Sequence, residues 1–307
     1  MLIVRPIKND DSEAFNNFAA ATGVGHTNLP NHPTQLAQKI NHSELSFASS
    51  VDHAGEEAYT FVMEDTLADR LVGTCTVDAT VGLSQPYYSY RVDQVTHSSI
   101  DLKINNRIPA LHMNHDYTGA SRLSSFYLEP DYRCDFYDQL LSKSRLLFMA
   151  CFPERFAATT IAEMKGVIDD EGISPFWESV GRHFFTMDFA EADLLTTSSH
   201  RHFIANLMPR YPLYVPLLSD KAQAVIGEHH EGVEDIVNIL EHEGLHFEGH
   251  VDIFDAGPIL EVRTRHIRAI RHAEQTQVLM GDEVLHGKRV LVCNNSCHDF
   301  RCIIARK

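Results

Sequence analysis

Apolar and polar residues alternate along the chain in short blocks, and the period of the alternation changes from block to block. Leu2–Val4 predicts a short strand. Asp10 or Asp11 is then placed to cap a helix running through Asn16–Ala21, with Glu13 completing a capping box. Tyr59–Glu64 and Leu71–Thr80 are rich in β-branched and aromatic residues, and the polar Asp65–Arg70 between them predicts a hairpin. Leu123–Leu128 is a further apolar strand, ended by Glu129-Pro130. Helical period takes over from about Asp138 to Met149, with Leu140, Leu141, Leu147 and Phe148 among its apolar positions. Ala158–Val167 reads as a strand. Strands and helices alternate, which predicts an α/β (α+β) class around a mixed sheet.

One stretch echoes another. Trp177-Glu-Ser-Val-Gly181-Arg-His-Phe184 and Leu240-Glu-His-Glu-Gly244-Leu-His-Phe247 share the spacing of apolar residue, glycine and phenylalanine. Each predicts a helix end, a glycine in the left-handed C′ position and entry into a strand. A chain of 307 residues has room for two modules. The link is expected near Ala192–His200, where Thr-Thr-Ser-Ser breaks the pattern, dividing the chain into 1–195 and 196–307.

Charge narrows the function classes. Twenty-six Lys and Arg stand against 42 Asp and Glu, a net charge of −16. Such a chain is repelled by phosphate backbones, which argues against a nucleic-acid partner. Cys75, Cys134, Cys151, Cys293, Cys297 and Cys302 are scattered without a CxxC pair, so neither a zinc knuckle nor a disulfide framework is indicated. The N-terminus lacks a signal-peptide core, and no stretch approaches the roughly 20 apolar residues needed to cross a bilayer. The expectation is a soluble, cytoplasmic protein with no membrane partner.

The loudest motif is His242-Glu-Gly-Leu-His246, followed by His250. On a helix, HExxH would put two histidines on one face to bind zinc, with Glu243 as general base, which gives a zinc hydrolase as a remote alternative. Gly244 argues against it. A helix stopping there cannot present His242 and His246 together, so no metal is expected. His229-His230 is quieter. It follows Ala222-Gln-Ala-Val-Ile-Gly227, an apolar stretch closing on glycine, and an imidazole there can supply a proton near neutral pH.

The N-terminal order of strand, Arg-Pro, Asp-capped helix, hairpin and a strand entering Glu-Pro-Asp-Tyr-Arg133 resembles the GNAT acyl-CoA N-acyltransferase architecture. A closer resemblance spans almost the whole chain. Gly25-His-Thr-Asn-Leu-Pro30, Leu141-Ser-Lys-Ser-Arg145, Ser174-Pro-Phe-Trp177, Phe184-Phe-Thr-Met-Asp-Phe189, Leu207-Met-Pro209, Asp252-Ile-Phe-Asp-Ala-Gly-Pro258 and Arg268-Ala-Ile-Arg271 are similar, in the same order, to arginine N-succinyltransferases. Leu123-Ser-Ser-Phe-Tyr127 and Pro153-Glu-Arg-Phe156 resemble the α-type subunit of arginine/ornithine succinyltransferase. The chain ends at Lys307, slightly short for that family.

The resemblance implies two GNAT-like modules and transfer of a succinyl group from succinyl-CoA to the α-amine of arginine, or of ornithine, in arginine catabolism. It places the proton donor at His230, after Ile226-Gly227, and the succinyl-CoA contacts at Phe126 and Arg133. Glu163, Asp252 and Asp255 are carboxylates available to the substrate guanidinium, which favours planar bidentate partners. The implied assembly is a homo-oligomer, or a hetero-oligomer with a β-type subunit. One departure stands out. Relatives carry Arg-x-x-Gly-x-Gly before the helix, where glycine lets backbone amides close on a pyrophosphate. Here Phe136 and Asp138 replace both glycines. That makes a degenerate, non-catalytic partner subunit the alternative.

Overall fold

The structure is a computed structural model, and it describes residues 1–22, 29, 31–197, 207–209, 211–277 and 287–306. Of the Gly25–Pro30 motif only Leu29 is among them, and Ser198–His200 of the expected link also lie outside them.

The N-terminal half begins with β1 (Leu2–Pro6), α1 (Ser12–Thr22) and α2 (Pro33–Ala48), then the hairpin β2 (Ala58–Asp65) and β3 (Arg70–Asp78). A second hairpin, β4 (Ser89–Ser99) and β5 (Ile104–Asn114), precedes β6 (Ser121–Leu128), α3 (Asp135–Cys151) and β7 (Thr159–Glu163). Short helices α4 (Pro175–Ser179), α5 (Gly181–Phe185) and α6 (Phe189–Thr197) follow. The remaining strands are β8 (Leu213–Tyr214), β9 (His246–Val251), β10 (Pro258–Arg263), β11 (Arg289–Cys293) and β12 (Cys302–Arg306).

The twelve strands among the described residues join one sheet in the order β11-β12-β1-β2-β3-β6-β7-β10-β9-β4-β5-β8. Among the described residues every neighbouring pair is antiparallel except β6 and β7, which run parallel, so the sheet is mixed as expected. One apolar cluster packs α2, α3 and the helix Glu234–His242 against the sheet and centres on Phe47, Tyr59, Phe61, Phe148 and Phe300. Their rings meet largely edge to face, the geometry the ring quadrupole favours. A second cluster gathers Tyr90, Leu111, Phe176, Trp177 and Val251 under α4–α6. Residue 195 falls inside α6, and both clusters draw on residues from either side of it.

Local expectations fared unevenly. β1, the β2–β3 hairpin and β6 form where alternation predicts them. α1 is capped differently: Lys8 is the N-cap of a preceding 3-10 turn, and its amide donates to the Asp11 carboxylate at 2.8 Å. Arg5 clamps that carboxylate with two hydrogen bonds at 2.7 and 2.9 Å. α3 begins three residues earlier than the helical period suggests, so Phe136 and Asp138 stand on its first turn. The echo holds at one end only. Gly244 has φ +102° after a helix ending at His242, and β9 begins at His246. Gly181 instead opens α5, and glycine is required there because a Cβ would lie 2.1 Å from the Trp177 ring.

Candidate functional site

β6 and β7 pair through Ser121↔Thr160, Arg122↔Ile161 and Leu123↔Ala162, and there the parallel ladder stops. β6 continues to Leu128 with β3 on its other side, and its register against β3 slips between Thr74 and Thr76. The slip is a bulge in which Ser125 takes φ +53°, a left-handed conformation that costs a non-glycine residue energy. The buried guanidinium of Arg145, from α3, holds the bulge by donating to the Thr76 and Ser124 carbonyls at 3.0 and 3.1 Å. Arg145 also donates to the Ser142 carbonyl at 3.2 Å, and burial lowers its pKa.

A cavity of about 200 Å³ opens where the two strands part. Its walls include Ser124–Tyr127 of β6, Glu163–Lys165 at the end of β7, and Asp252, Phe254 and Asp255 of the β9–β10 turn. Arg133 and Asp138, at the start of α3, and Gly232 and Val233, after the histidine pair, complete the side toward the helices. The sheet therefore brings Phe126, Arg133, Glu163, Asp252 and Asp255 to one cavity. His230 is not itself a wall residue; it stands just behind Gly232.

The three carboxylates differ in what already occupies them. Glu163 accepts from the Tyr87 hydroxyl at 2.5 Å and from Arg122 at 3.1 Å, and Arg122 bridges on to Asp78 at 2.9 Å. Asp255 accepts from the Gly166 and Gly257 amides at 2.7 and 2.8 Å, one on each oxygen. Those glycines are obligatory for packing: a Cβ on Gly166 would lie 2.7 Å from the Asp255 carboxylate, and one on Gly257 would lie 2.3 Å from the Met164 carbonyl. Asp252 accepts the Phe254 and Asp255 amides through Oδ1 alone, at 2.6 and 3.2 Å. Its Oδ2 has no hydrogen-bond partner among the described residues. Burial holds the Asp252 carboxyl well above the usual carboxylate range, and the nearby Asp255 and Glu163 charges add to the effect. Burial likewise raises Asp255, against the opposing pull of its two amide donors.

His230 is fixed from both ends. Its amide donates to the Lys165 carbonyl at 2.8 Å, and its Nδ1 accepts the Gly232 amide at 2.9 Å. A backbone amide only donates, so Nδ1 carries the lone pair and the ring proton resides on Nε2. Burial, with the Lys165 charge behind it, lowers the His230 pKa. His229 forms an isolated bridge with Gly166.

The HExxH residues do not assemble. His242 closes the helix Glu234–His242, its Nδ1 against the Asn238 carbonyl, whereas exposed His246 lies on β9 and pairs with Glu248 at 3.0 Å. Glu243 is buried and accepts from Lys143 at 2.9 Å and from the Ala269 amide at 2.6 Å. His250 faces Asp116 and packs on Tyr117. No three His, Cys, Asp or Glu side chains converge on a metal-sized site among the described residues. No helix among them is long and apolar enough to cross a membrane.

A family profile described as "Arginine N-succinyltransferase beta subunit" matches residues 2–269. The chain belongs to the arginine N-succinyltransferase family. An arginine N-succinyltransferase of Yersinia pseudotuberculosis (serotype O:3, strain YPIII) is 42% identical over 99% of this chain and 89% of its own length. The arginine N-succinyltransferase subunit alpha of Pseudomonas aeruginosa is also 42% identical, over 99% of this chain and 90% of that protein. The solved structure of arginine/ornithine succinyltransferase subunit AI from Pseudomonas aeruginosa superposes with a TM-score of 0.92 at 40% identity, covering all of this chain and 89% of that one. The mixed fold is thus that of an arginine N-succinyltransferase, an acyltransferase. The family's name does not by itself reveal Lys165, Arg145 or the Asp255 anchor. No local signal marks Lys165, and the partners that give Arg145 and Asp255 their roles, Thr76, Ser124 and Gly166, are distant in the chain.

Proposed function

We propose that this chain transfers the succinyl group of succinyl-CoA to the α-amine of arginine, with ornithine as the other amine considered, in arginine catabolism. The observation that carries the reading is the cavity where β6 and β7 part, with Phe126 and Arg133 on one side and carboxylates on the other, in a chain of this family. The acyl-CoA enters as co-substrate along β6, where the ladder to β7 has ended. The neutral amine attacks the thioester carbonyl; a C–N bond forms, the nitrogen sheds a proton, the C–S bond breaks, and the departing thiolate takes a proton. His230 is the proposed donor; to give its Nε2 proton without being left an imidazolate, it takes up the proton shed by the attacking nitrogen in the same step. Asp252 is the carboxylate best suited to the substrate cation, because Glu163 and Asp255 are committed to Arg122, Tyr87 and two amides. A cationic side chain beside Asp252 would draw off the proton that burial favours.

Modules 1–195 and 196–307 stay a proposal, as do a cytoplasmic location and an oligomer, either of one chain or with a β-type subunit. A thiol-release assay with succinyl-CoA and arginine on the purified chain tests the activity. Steady release dependent on arginine supports it, and none in the presence of either amine would defeat it.

A second reading, a non-catalytic partner subunit, is favoured by one observation. Phe136 projects from the first turn of α3 with the Arg289 guanidinium 3.6 Å above its ring, and Asp138 is buried at the cavity wall. An aromatic side chain and a carboxylate stand where glycines would admit a pyrophosphate. Titration of succinyl-CoA into the chain and into a Phe136→Gly/Asp138→Gly variant separates the readings. Weak binding tightened by the variant supports the partner subunit; tight binding by the unaltered chain supports the enzyme.

A further inference from the structure

The cavity wall carries three cations, Arg133, Arg145 and Lys165. Arg145 gives its Nε and Nη1 to three backbone carbonyls, and exposed Arg133 gives its Nε to the Leu128 carbonyl at 3.2 Å. Arg122, close by, is locked between Asp78 and Glu163. The ammonium of Lys165 makes no hydrogen bond or ion pair with any described residue. It is half-buried, and the carboxylates whose fields reach it, Asp255 and Asp193, lie beyond ion-pair distance. A half-buried charge left in that condition is costly unless a ligand completes it. The wall also carries Asp138, Glu163, Asp252 and Asp255, and among its described cations Lys165 is the one that is half-buried with no hydrogen bond or ion pair, so an anionic group entering the cavity has its ammonium to meet.

We propose that the Lys165 ammonium is the carboxylate-binding group of the cavity. It holds a substrate carboxylate beside the reacting centre, because the Lys165 carbonyl accepts the His230 amide at 2.8 Å. The assignment rests on the acyl-transfer reading. That reaction brings two carboxylates, the distal one of the succinyl group and the α-carboxylate of arginine. Both offer the same chemistry to an ammonium, a charge-assisted hydrogen bond. Met164 and Gly166, on either side, are tied to the Pro258 carbonyl and the Asp255 carboxylate, so the lysine backbone is held rigidly.

The test is calorimetric titration of the full chain with two ligand pairs, succinyl-CoA against acetyl-CoA and arginine against agmatine, its analogue without the carboxylate. Wild type, Lys165→Met and Lys165→Arg are compared, the first variant keeping the apolar stem and the second the charge. In one pair the carboxylate-bearing ligand binds wild type about 10–100-fold more tightly, Lys165→Met abolishes the preference, and Lys165→Arg keeps most of it. Loss in the CoA pair assigns the succinyl carboxylate, and loss in the amine pair assigns arginine. Preferences that survive Lys165→Met, or no preference in wild type, overturn the proposal. Turnover is measured separately. A Lys165-dependent preference in a chain that releases no thiol would defeat the transferase reading alone, and turnover with preferences untouched by Lys165→Met would defeat this one alone.

Discussion

Two histidine-bearing segments, Gly227–Val233 and His242–His250, show how little a motif's loudness says about its chemistry. The second has the spacing of a zinc helix, yet a left-handed Gly244 sends His242 and His246 to different elements. Its one buried acid, Glu243, ties α3 to the chain after β10 through Lys143 and the Ala269 amide. The first has no recognisable spacing. There the fold supplies the order: Lys165 fixes the backbone of His230, Gly232 fixes its tautomer, and both neighbours line the cavity. Spacing matters only on the element that realises it, and a single positive φ changes that element.

The contrast can be broken most sharply at His230. His230→Ala is expected to lower turnover by roughly 10²–10⁴, the usual span for a general acid, while His229→Ala changes it far less. Steady-state kinetics on both variants checks this, and a reversed order would move the donor to His229. Next in size is Glu243→Gln, which removes the charge from a buried pair. A loss of about 2–4 kcal/mol in urea unfolding is expected, with turnover per folded molecule unchanged. A loss of activity without a loss of stability would restore a catalytic reading of the motif.

A smaller effect concerns pH. The His230 pKa lies below its ordinary 6.5, so the folded chain binds this proton less readily than the unfolded chain. Its contribution to stability is present above the unfolded value and fades as pH falls through 6.5 toward the lower folded value. Urea unfolding of wild type and His230→Ala across that range should converge at acid pH, and parallel curves would contradict the assignment. Smallest of all, His242→Ala and His246→Ala should leave both the thermal midpoint and turnover unaltered, and a chelator should do the same. Activity lost with one tightly held zinc per chain would overturn this half of the comparison.

What could be read in advance follows the range of the interactions involved. β1, β2–β3 and β6 declare themselves by local alternation, and Gly244 by its place after an apolar helix. The β4–β5 hairpin went unread because its outer half is polar and exposed, with little apolar contrast for a pattern to show. The early end of β7 was also hidden, because Lys165 and Gly166 leave the ladder to meet the histidine pair and Asp255. Phe126, Arg133 and His230 were reached through a family resemblance rather than spacing; the first two line the cavity, and His230 does not. Lys165 gave no local sign, and Arg145 entered only as the last residue of the Leu141–Arg145 motif. Their significance lies in which partners they have and which they lack, and only the folded chain sets that.

The central claim is that the cavity where β6 and β7 part, with His230 behind Gly232, transfers an acyl group to an amine. Thiol release from succinyl-CoA, measured with and without arginine for wild type and His230→Ala, tests it most directly. The account predicts arginine-dependent release by wild type and a loss of at least about 10²-fold in the variant, with both proteins equally folded. Equal release by the two would contradict it.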